Sequence, residues 1–431
     1  MAGVPRDPRP DSTLALLSEG YRFIGHGCAR HRSDVFETRL LLRPTLCMSG
    51  AEAARMFYDS ERFQRRGAVP LRVRKTFFGR GAVQELDGEA HRSRKAMFLS
   101  LMSPDGIRRL SEQAETHWRA SLREWARKGR LVLLDEVQQL LCRVACAWTG
   151  VPLPEAEVVQ RTRELAALLD GAASVGPRHW RARLMRMRSE VWLGRLVIRV
   201  RAGRHAAPEG SALRTVAEYR GPDGKRLSPR LAAVELLNVL RPIVVVARFV
   251  MFEALALHEH PERRARLLEE DDDEAYEHFV QEVRRSSPFM PFVVARVRRD
   301  FTWKGYHFPR GRRVLLDLYG TNHDARLWER PHEFRPERFR TWDGSPFSFI
   351  PQGGGEHHTG HRCAGEWSTL ALMKVAARML TRGMRYDVPP QDLRVSLSRI
   401  PAEPASRFVI ANVRAVEEGM ERAGDNSAPM P

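Results

Sequence analysis

Apolar residues return at every third or fourth position through most of the middle of the chain. Ser103-Pro104 supplies a helix cap followed by proline at the first helical position, and Ile107, Leu110, Ala114, Trp118, Leu122 and Trp125 then mark one face of an amphipathic helix ending near Gly129. The same spacing predicts helices over about Leu133 to Thr149, Pro154 to Leu169, Trp180 to Arg204, Pro229 to His258 and Glu274 to Ser286, with a last long one after Cys363 reaching about Arg382. From Phe23 to Leu46, β-formers punctuated by Gly25, Gly27 and Pro44 predict a short antiparallel sheet, followed by a helix over Ser49 to Tyr58. Strands return at Val293 to Arg298 and Val314 to Leu318, and again near the end at Arg407 to Asn412. The sum is a mainly α protein with a small β portion towards each end.

No linker or internal repeat interrupts the 431 residues, so one folded unit over residues 12–415 is expected, between polar tails at 1–11 and 416–431 that are expected to be disordered. The net charge of +18 raises an anionic partner, but only six of the 71 basic residues are lysines, and the arginines often lie three or four positions from an acid. Paired, solvated helix faces account for that pattern better than a nucleic-acid footprint, and no nucleic-acid partner is expected. Five cysteines are too few and odd in number for a disulfide framework, which points to a reducing, cytoplasmic compartment. No apolar signal segment opens the chain, and Arg241, Arg248 and Glu253 interrupt its most hydrophobic run, Val239 to Leu257, so no membrane span is expected. The acidic run Glu269 to Glu274 suits a helix start better than a metal site.

Candidate chemistry concentrates in Pro351-Gln-Gly-Gly-Gly-Glu-His-His-Thr-Gly-His-Arg-Cys-Ala-Gly365. Its glycines allow close backbone approach, and Cys363 precedes a helix whose N-terminal dipole favours a thiolate. On this loop alone, a thiolate metal ligand and an inert buried cysteine both stay open; a phosphate loop lacks its Gly-Lys-Ser/Thr ending. His357 and His358 are expected to face solvent. Glu282 and Arg285 share a helix face one turn apart, and Arg338, in Phe334-Arg-Pro-Glu-Arg-Phe339, could complete a buried charged triad.

Arg241-Pro242 is the physical anomaly. It stands among residues that want burial, in Leu240-Arg-Pro-Ile-Val-Val-Val-Ala247, where an unpaired cation is costly, so something anionic should meet it. Glu235 and a bound ligand both remain open as that partner. Pro242 cannot donate to the Asn238 carbonyl, which predicts a kinked helix. Arg248, two turns on, is assigned no role.

A helix with Glu-x-x-Arg, a later Pro-Glu-Arg-Phe loop and a Gly-rich loop presenting a cysteine before a long helix, in this order, resemble a cytochrome P-450. More narrowly, LRPIVVVARF, ALALHEHPE, VLLDLYGTNHD, EFRPERF, IPQGGG and GHRCAGEW resemble the bacterial fatty-acid peroxygenases of that superfamily, and the similarity covers essentially the whole folded chain. The resemblance implies a single-domain cytochrome P-450 fold holding haem b, with Cys363 as iron ligand and Glu282, Arg285 and Arg338 as structural support. It implies that Arg65, His91 and Lys95 meet the haem propionates, that Arg241 and Pro242 bind the substrate carboxylate, and that Phe78, Gln84 and Val294 line the pocket. The implied reaction is hydrogen-peroxide-driven hydroxylation of a long-chain fatty acid at the α or β carbon, the carboxylate serving as general acid-base, with no obligatory redox partner. Relatives that form terminal alkenes tend to carry histidine where this chain has Gln84, so hydroxylation is expected as the main outcome; decarboxylation and a reductase-dependent monooxygenase are the alternatives. Val294 stands where similar proteins often have glycine. The usual superfamily loop has Phe seven residues, and Arg two residues, before the cysteine; Glu356 and His361 stand there instead, as in the peroxygenase branch.

Overall fold

The computed structural model describes residues 4–172, 174 and 176–416. Helices dominate, and the long ones follow the apolar periodicity closely. Ser103 caps the helix Pro104–Trp125 by accepting from the Gly106 N–H, and Leu110, Ala114, Trp118, Leu122 and Trp125 are its buried face. That face joins the main hydrophobic core with the helices Leu133–Thr149, Pro177–Arg201, Pro229–Val245, Ala247–Glu259, Asp273–Ser286 and Glu366–Arg378.

The strands foreseen near the start of the chain and at Val293 to Leu318 meet in one sheet. Strands Val35–Leu40 and Arg43–Met48 pair antiparallel, and the second runs parallel to Arg313–Asp317 in the register Thr45 to Arg313 through Met48 to Leu316. Phe292–Val297 and then Phe63–Gln64 complete its five strands. A three-stranded sheet joins Arg130–Val132, Val409–Ala415 and Met384–Asp387.

Several expectations are corrected. The stretch from Phe23 is first a helix, Phe23–His31, and only then a hairpin. Gly27 sits inside that helix because a Cβ there would lie 2.3 Å from the Phe36 ring, so it serves helix-on-strand contact rather than a turn. The apolar run from Pro229 divides at Val246, one turn after Pro242, into Pro229–Val245 and Ala247–Glu259. Short helices at Thr13–Glu19, Ala212–Glu218 and Pro261–Glu270 carried too few periodic apolar positions to be read.

Residues 4–11, expected as a loose tail, instead lie along a strand: the Asp7 N–H donates to the Glu37 carbonyl and the Glu37 N–H to the Pro5 carbonyl, both at 2.8 Å. Buried Asp7 accepts from the Arg9 side chain and pairs with Arg30. Of the tail expected from residue 416, residues 417–431 lie outside the described residues. No helix is long and apolar enough to cross a membrane, among the described residues.

Candidate active site

The cysteine loop is moulded on Tyr58. Gly355, at φ +82°, brings the backbone so close that a Cβ would lie 3.0 Å from the Tyr58 ring. The loop delivers Cys363 three residues ahead of the helix Glu366–Arg378. Burial and the Glu366 carboxylate push its thiol up, while the Gly365 N–H and the cations Lys95 and Arg284 oppose them. Gln352 Nε2 lies 3.9 Å from the sulfur and donates to Thr369 Oγ1 at 3.1 Å. Beneath the loop Arg284 pairs with Glu366 at 2.6 Å and donates to Gln352 at 2.9 Å, while Arg362 reaches Glu366 at 2.5 Å. Sequence reading missed Arg284, Gln352 and Glu366. Their only advance signal was Arg284 beside Arg285, and Glu366 at helical spacing from Arg362.

Arg65, His91 and Lys95 come together beside this loop. The Lys95 ammonium donates to the carbonyls of Gly360 at 2.5 Å and Arg362 at 2.8 Å, so it carries the loop as well as a charge. Burial lowers Lys95 to about 8 despite the nearby Cys363. The His91 ring lies 3.9 Å from that of His361, whose Nε2 is 3.6 Å from Asp87. Burial, with neighbouring cations, takes His91 down to about 3 and His361 to about 4, so both rings are neutral near pH 7. The Arg65 guanidinium covers the Phe57 ring at 4.2 Å and donates to the Val294 carbonyl at 3.5 Å. Among the described residues neither Arg65 nor Lys95 forms an ion pair with a carboxylate.

Arg241, in the helix Pro229–Val245, is 4% exposed. Its guanidinium stacks 4.0 Å above the Phe77 ring and donates to the Phe77 carbonyl. No carboxylate among the described residues pairs with it. Glu235, the internal partner left open above, is taken by Arg94 at 2.5 Å and by Asn238 at 3.1 Å. Burial, and then the charge of Arg186, push Arg241 down to about 9, while Cys363 pulls it back, so cation and thiol share one field.

Phe78 packs edge-on against Phe77 at 4.7 Å. Gln84, in the turn Val83–Glu85, has its Oε1 buried with no hydrogen-bond partner among the described residues. Val294 packs on the Phe23, Phe36 and Leu315 cluster.

Glu282, Arg285 and Arg338 form a buried triad. Arg285 grips both Glu282 oxygens at 2.7 and 2.8 Å, and Arg338 reaches the same carboxylate at 3.2 Å. Arg285 also donates at 2.9 Å to the carbonyls of Asn322 and Pro331, tying two loops to its helix. His358 is exposed as expected, but His357 is half-buried against Trp367 and both its ring nitrogens lack partners. No cluster of metal-ligating side chains forms around the acidic run, among the described residues.

A sequence model of the family described as cytochrome P450 matches residues 275–391, the segment holding the triad and the cysteine loop. Among solved structures, cytochrome P450SP alpha (CYP152B1) in complex with (R)-ibuprofen is 51% identical, with a TM-score of 0.92 over 94% of this chain and 99% of that one. Cytochrome P450EX alpha (CYP152N1) with myristic acid is 41% identical, with a TM-score of 0.94 over 96% of this chain and all of its own. Ligand-free cytochrome P450 OleT is 37% identical, with a TM-score of 0.93 over 96% of this chain and all of that one. Likeness of this depth over the full described fold, together with the cysteine loop, the triad and the buried arginine, has one meaning: the chain belongs to the cytochrome P450 superfamily, in its CYP152 family of fatty-acid peroxygenases.

Proposed function

We propose that this protein is a haem b peroxygenase that hydroxylates long-chain fatty acids at the α or β carbon with hydrogen peroxide, Arg241 holding the substrate carboxylate. The observation that carries the reading is Arg241 itself, a buried cation with no carboxylate among the described residues, in the electrostatic field of Cys363. P450EX alpha has been solved with myristic acid and P450SP alpha with (R)-ibuprofen, both carboxylic acids.

The residues present fit an iron porphyrin. Cys363 offers a sulfur at a helix N-terminus, where the thiolate form is favoured as a metal ligand. Arg65, Lys95 and His91 gather beside it without carboxylate ion pairs, a set suited to two propionates. Haem, when bound, supplies the oxidising chemistry of peroxide reduction and alkyl hydroxylation.

What the chain contributes is placement and proton handling. Arg241 would anchor the carboxylate by a charge-assisted pair, made strong by burial, and thereby present the α and β carbons for reaction. The anchored carboxylate is the acid-base group at the peroxide oxygen, taking a proton and returning it, a role for which this site has no carboxylate of its own beside Arg241. Pro242 removes a helix N–H next to Arg241 and leaves the Asn238 carbonyl without its intrahelical donor. Gln84 and Phe78 would meet the substrate beside Phe77, and a neutral amide at Gln84 favours hydroxylation over loss of the carboxylate as carbon dioxide. Val294 shapes chain-length selectivity through its strand. The Glu282, Arg285 and Arg338 triad keeps the loops under the haem side in place.

Purified holoenzyme given hydrogen peroxide and a chain-length series of fatty acids, with no reductase, tests this by mass spectrometry of the products. Hydroxy acids are expected; no turnover without an electron donor overturns the peroxygenase reading. Arg241→Ala should bind haem and lose acid turnover.

A further inference from the structure

A second buried cation stands behind Arg241, and nothing in the family motifs accounts for it. Arg186, in the helix Pro177–Arg201, is 1% exposed. Its Nε is pinned by Glu190, one turn on, at 2.7 Å. That fixes the plane of the guanidinium and aims its other two nitrogens across at the turn Arg74–Phe78: Nη1 donates to the Phe77 carbonyl at 2.8 Å and Nη2 to the Phe78 carbonyl at 3.0 Å. The chain makes room for this contact at Gly79, where φ is +96° and a Cβ would fall 2.3 Å from Arg186 Nη2.

The Phe77 carbonyl is thus shared. It accepts from Arg186 and from Arg241, one donor for each of its lone pairs. We propose that Arg186 is a positioning residue of the anion site: it keeps the Phe77 carbonyl satisfied, so Arg241 can leave that carbonyl for a carboxylate without stranding a half-buried acceptor. The inference rests on the reading of Arg241 as the carboxylate anchor. A half-buried carbonyl left without a donor is costly, and a lone Arg241 would have to orphan Phe77 each time substrate entered. With its three nitrogens directed at Glu190, Phe77 and Phe78, Arg186 is oriented towards the backbone of that turn, and the exchange falls to Arg241. Holding the carbonyls of both Phe77 and Phe78 also fixes the turn that carries the Phe78 ring.

Equilibrium binding to the haem-loaded protein tests this, with myristic acid and tetradecan-1-ol as paired probes, in the native protein, Arg186→Met, Arg241→Met and the double variant. Arg186→Met is expected to weaken the acid by about tenfold, leave the alcohol unchanged, and have no further effect beside Arg241→Met. Equal weakening of acid and alcohol assigns Arg186 a purely structural part and overturns the proposal, as does an undiminished effect in the double variant. Unchanged acid binding in Arg241→Met would instead defeat the anchor reading, whatever Arg186→Met does. Glu190→Gln, which loosens the Nε pin and, at the exposed Arg230, a 3.7 Å ion pair, decides the matter if Arg186→Met does not fold: a loss of about threefold for the acid alone supports the proposal, and no selective loss overturns it.

Discussion

Arg94 donates to Glu235 at 2.5 Å across 141 residues of sequence, with the carboxylate wholly buried. Asn238 donates to the other Glu235 oxygen, so this acid is fully committed one and a half turns before Arg241. Burial raises Glu235 and Arg94 opposes it, the signature of a charge kept only by its partner. Arg94→Met should therefore cost about 3–5 kcal/mol, because it strands a buried carboxylate, whereas Arg94→Met combined with Glu235→Leu should recover most of the loss. Thermal unfolding of the holoenzyme compares them; a double variant no better than the single one would show that the pair is not acting as a unit.

Arg285 spends its guanidinium on both oxygens of Glu282 and on two carbonyls from separate loops. Lysine brings the same charge with a single nitrogen and cannot reach all four. Arg285→Lys should cost about 3–5 kcal/mol and lower the haem content of the purified protein, since Asn322 and Pro331 lose their donor together. Full haem occupancy with an unshifted melting temperature would show that charge alone suffices there.

How much of this was legible in the sequence depends on the range of the interaction. Leu133–Thr149 was read to the residue, because an amphipathic helix writes its own period into its sequence. The Glu282 and Arg285 face was readable for the same reason, and Arg241 stood out because a charge among valines has no local explanation. Phe23–His31 was misread, since its Gly27 reports contact with Phe36, a strand residue beyond the helix. Arg186 gave no signal at all: an arginine with a glutamate four residues on looks like any surface pair, and its contacts with Phe77 and Phe78 span more than a hundred residues. Which cation meets which carbonyl is decided by tertiary packing, and local pattern carries no record of it.

Glu253 lies in the helix Ala247–Glu259 with no exposure, and neither carboxyl oxygen has a partner. Burial alone holds it well above the usual carboxylate range, which favours its protonated form, and it carries an unmet polar cost. The folded state then binds its proton more tightly than the unfolded chain does. Stability from this group is greatest below the unfolded value and declines as pH rises above it. Glu253→Met should stabilise by about 1–3 kcal/mol near neutral pH, with a smaller gain at pH 5. Calorimetry at the two pH values checks the sign; a variant that melts lower at both would reveal a partner for Glu253 that packing alone does not account for.

Asp317 gives the sharpest pH test away from the haem side. It caps the short helix Leu318–Asn322, its Oδ1 accepting from the Gly320 N–H at 2.8 Å, and Ser49 Oγ lies 3.4 Å from Oδ2. Burial lifts it to about 7, with Asp324 adding repulsion and the Gly320 and Ser49 hydrogen bonds opposing. The unfolded value is near about 3.9, so between the two the folded protein holds a proton that the unfolded chain has released. Unfolding therefore becomes easier as pH rises from about 4 to 7, and the loss is complete above 7. Asp317→Asn keeps an oxygen for the Gly320 cap and cannot titrate. Relative to the native protein, the melting temperature of Asp317→Asn should climb steadily across that window by several degrees and level off above pH 7.5. A difference that stays flat with pH would mean that Asp317 is ionised in the fold throughout, with a compensating donor that the Ser49 and Gly320 contacts do not provide.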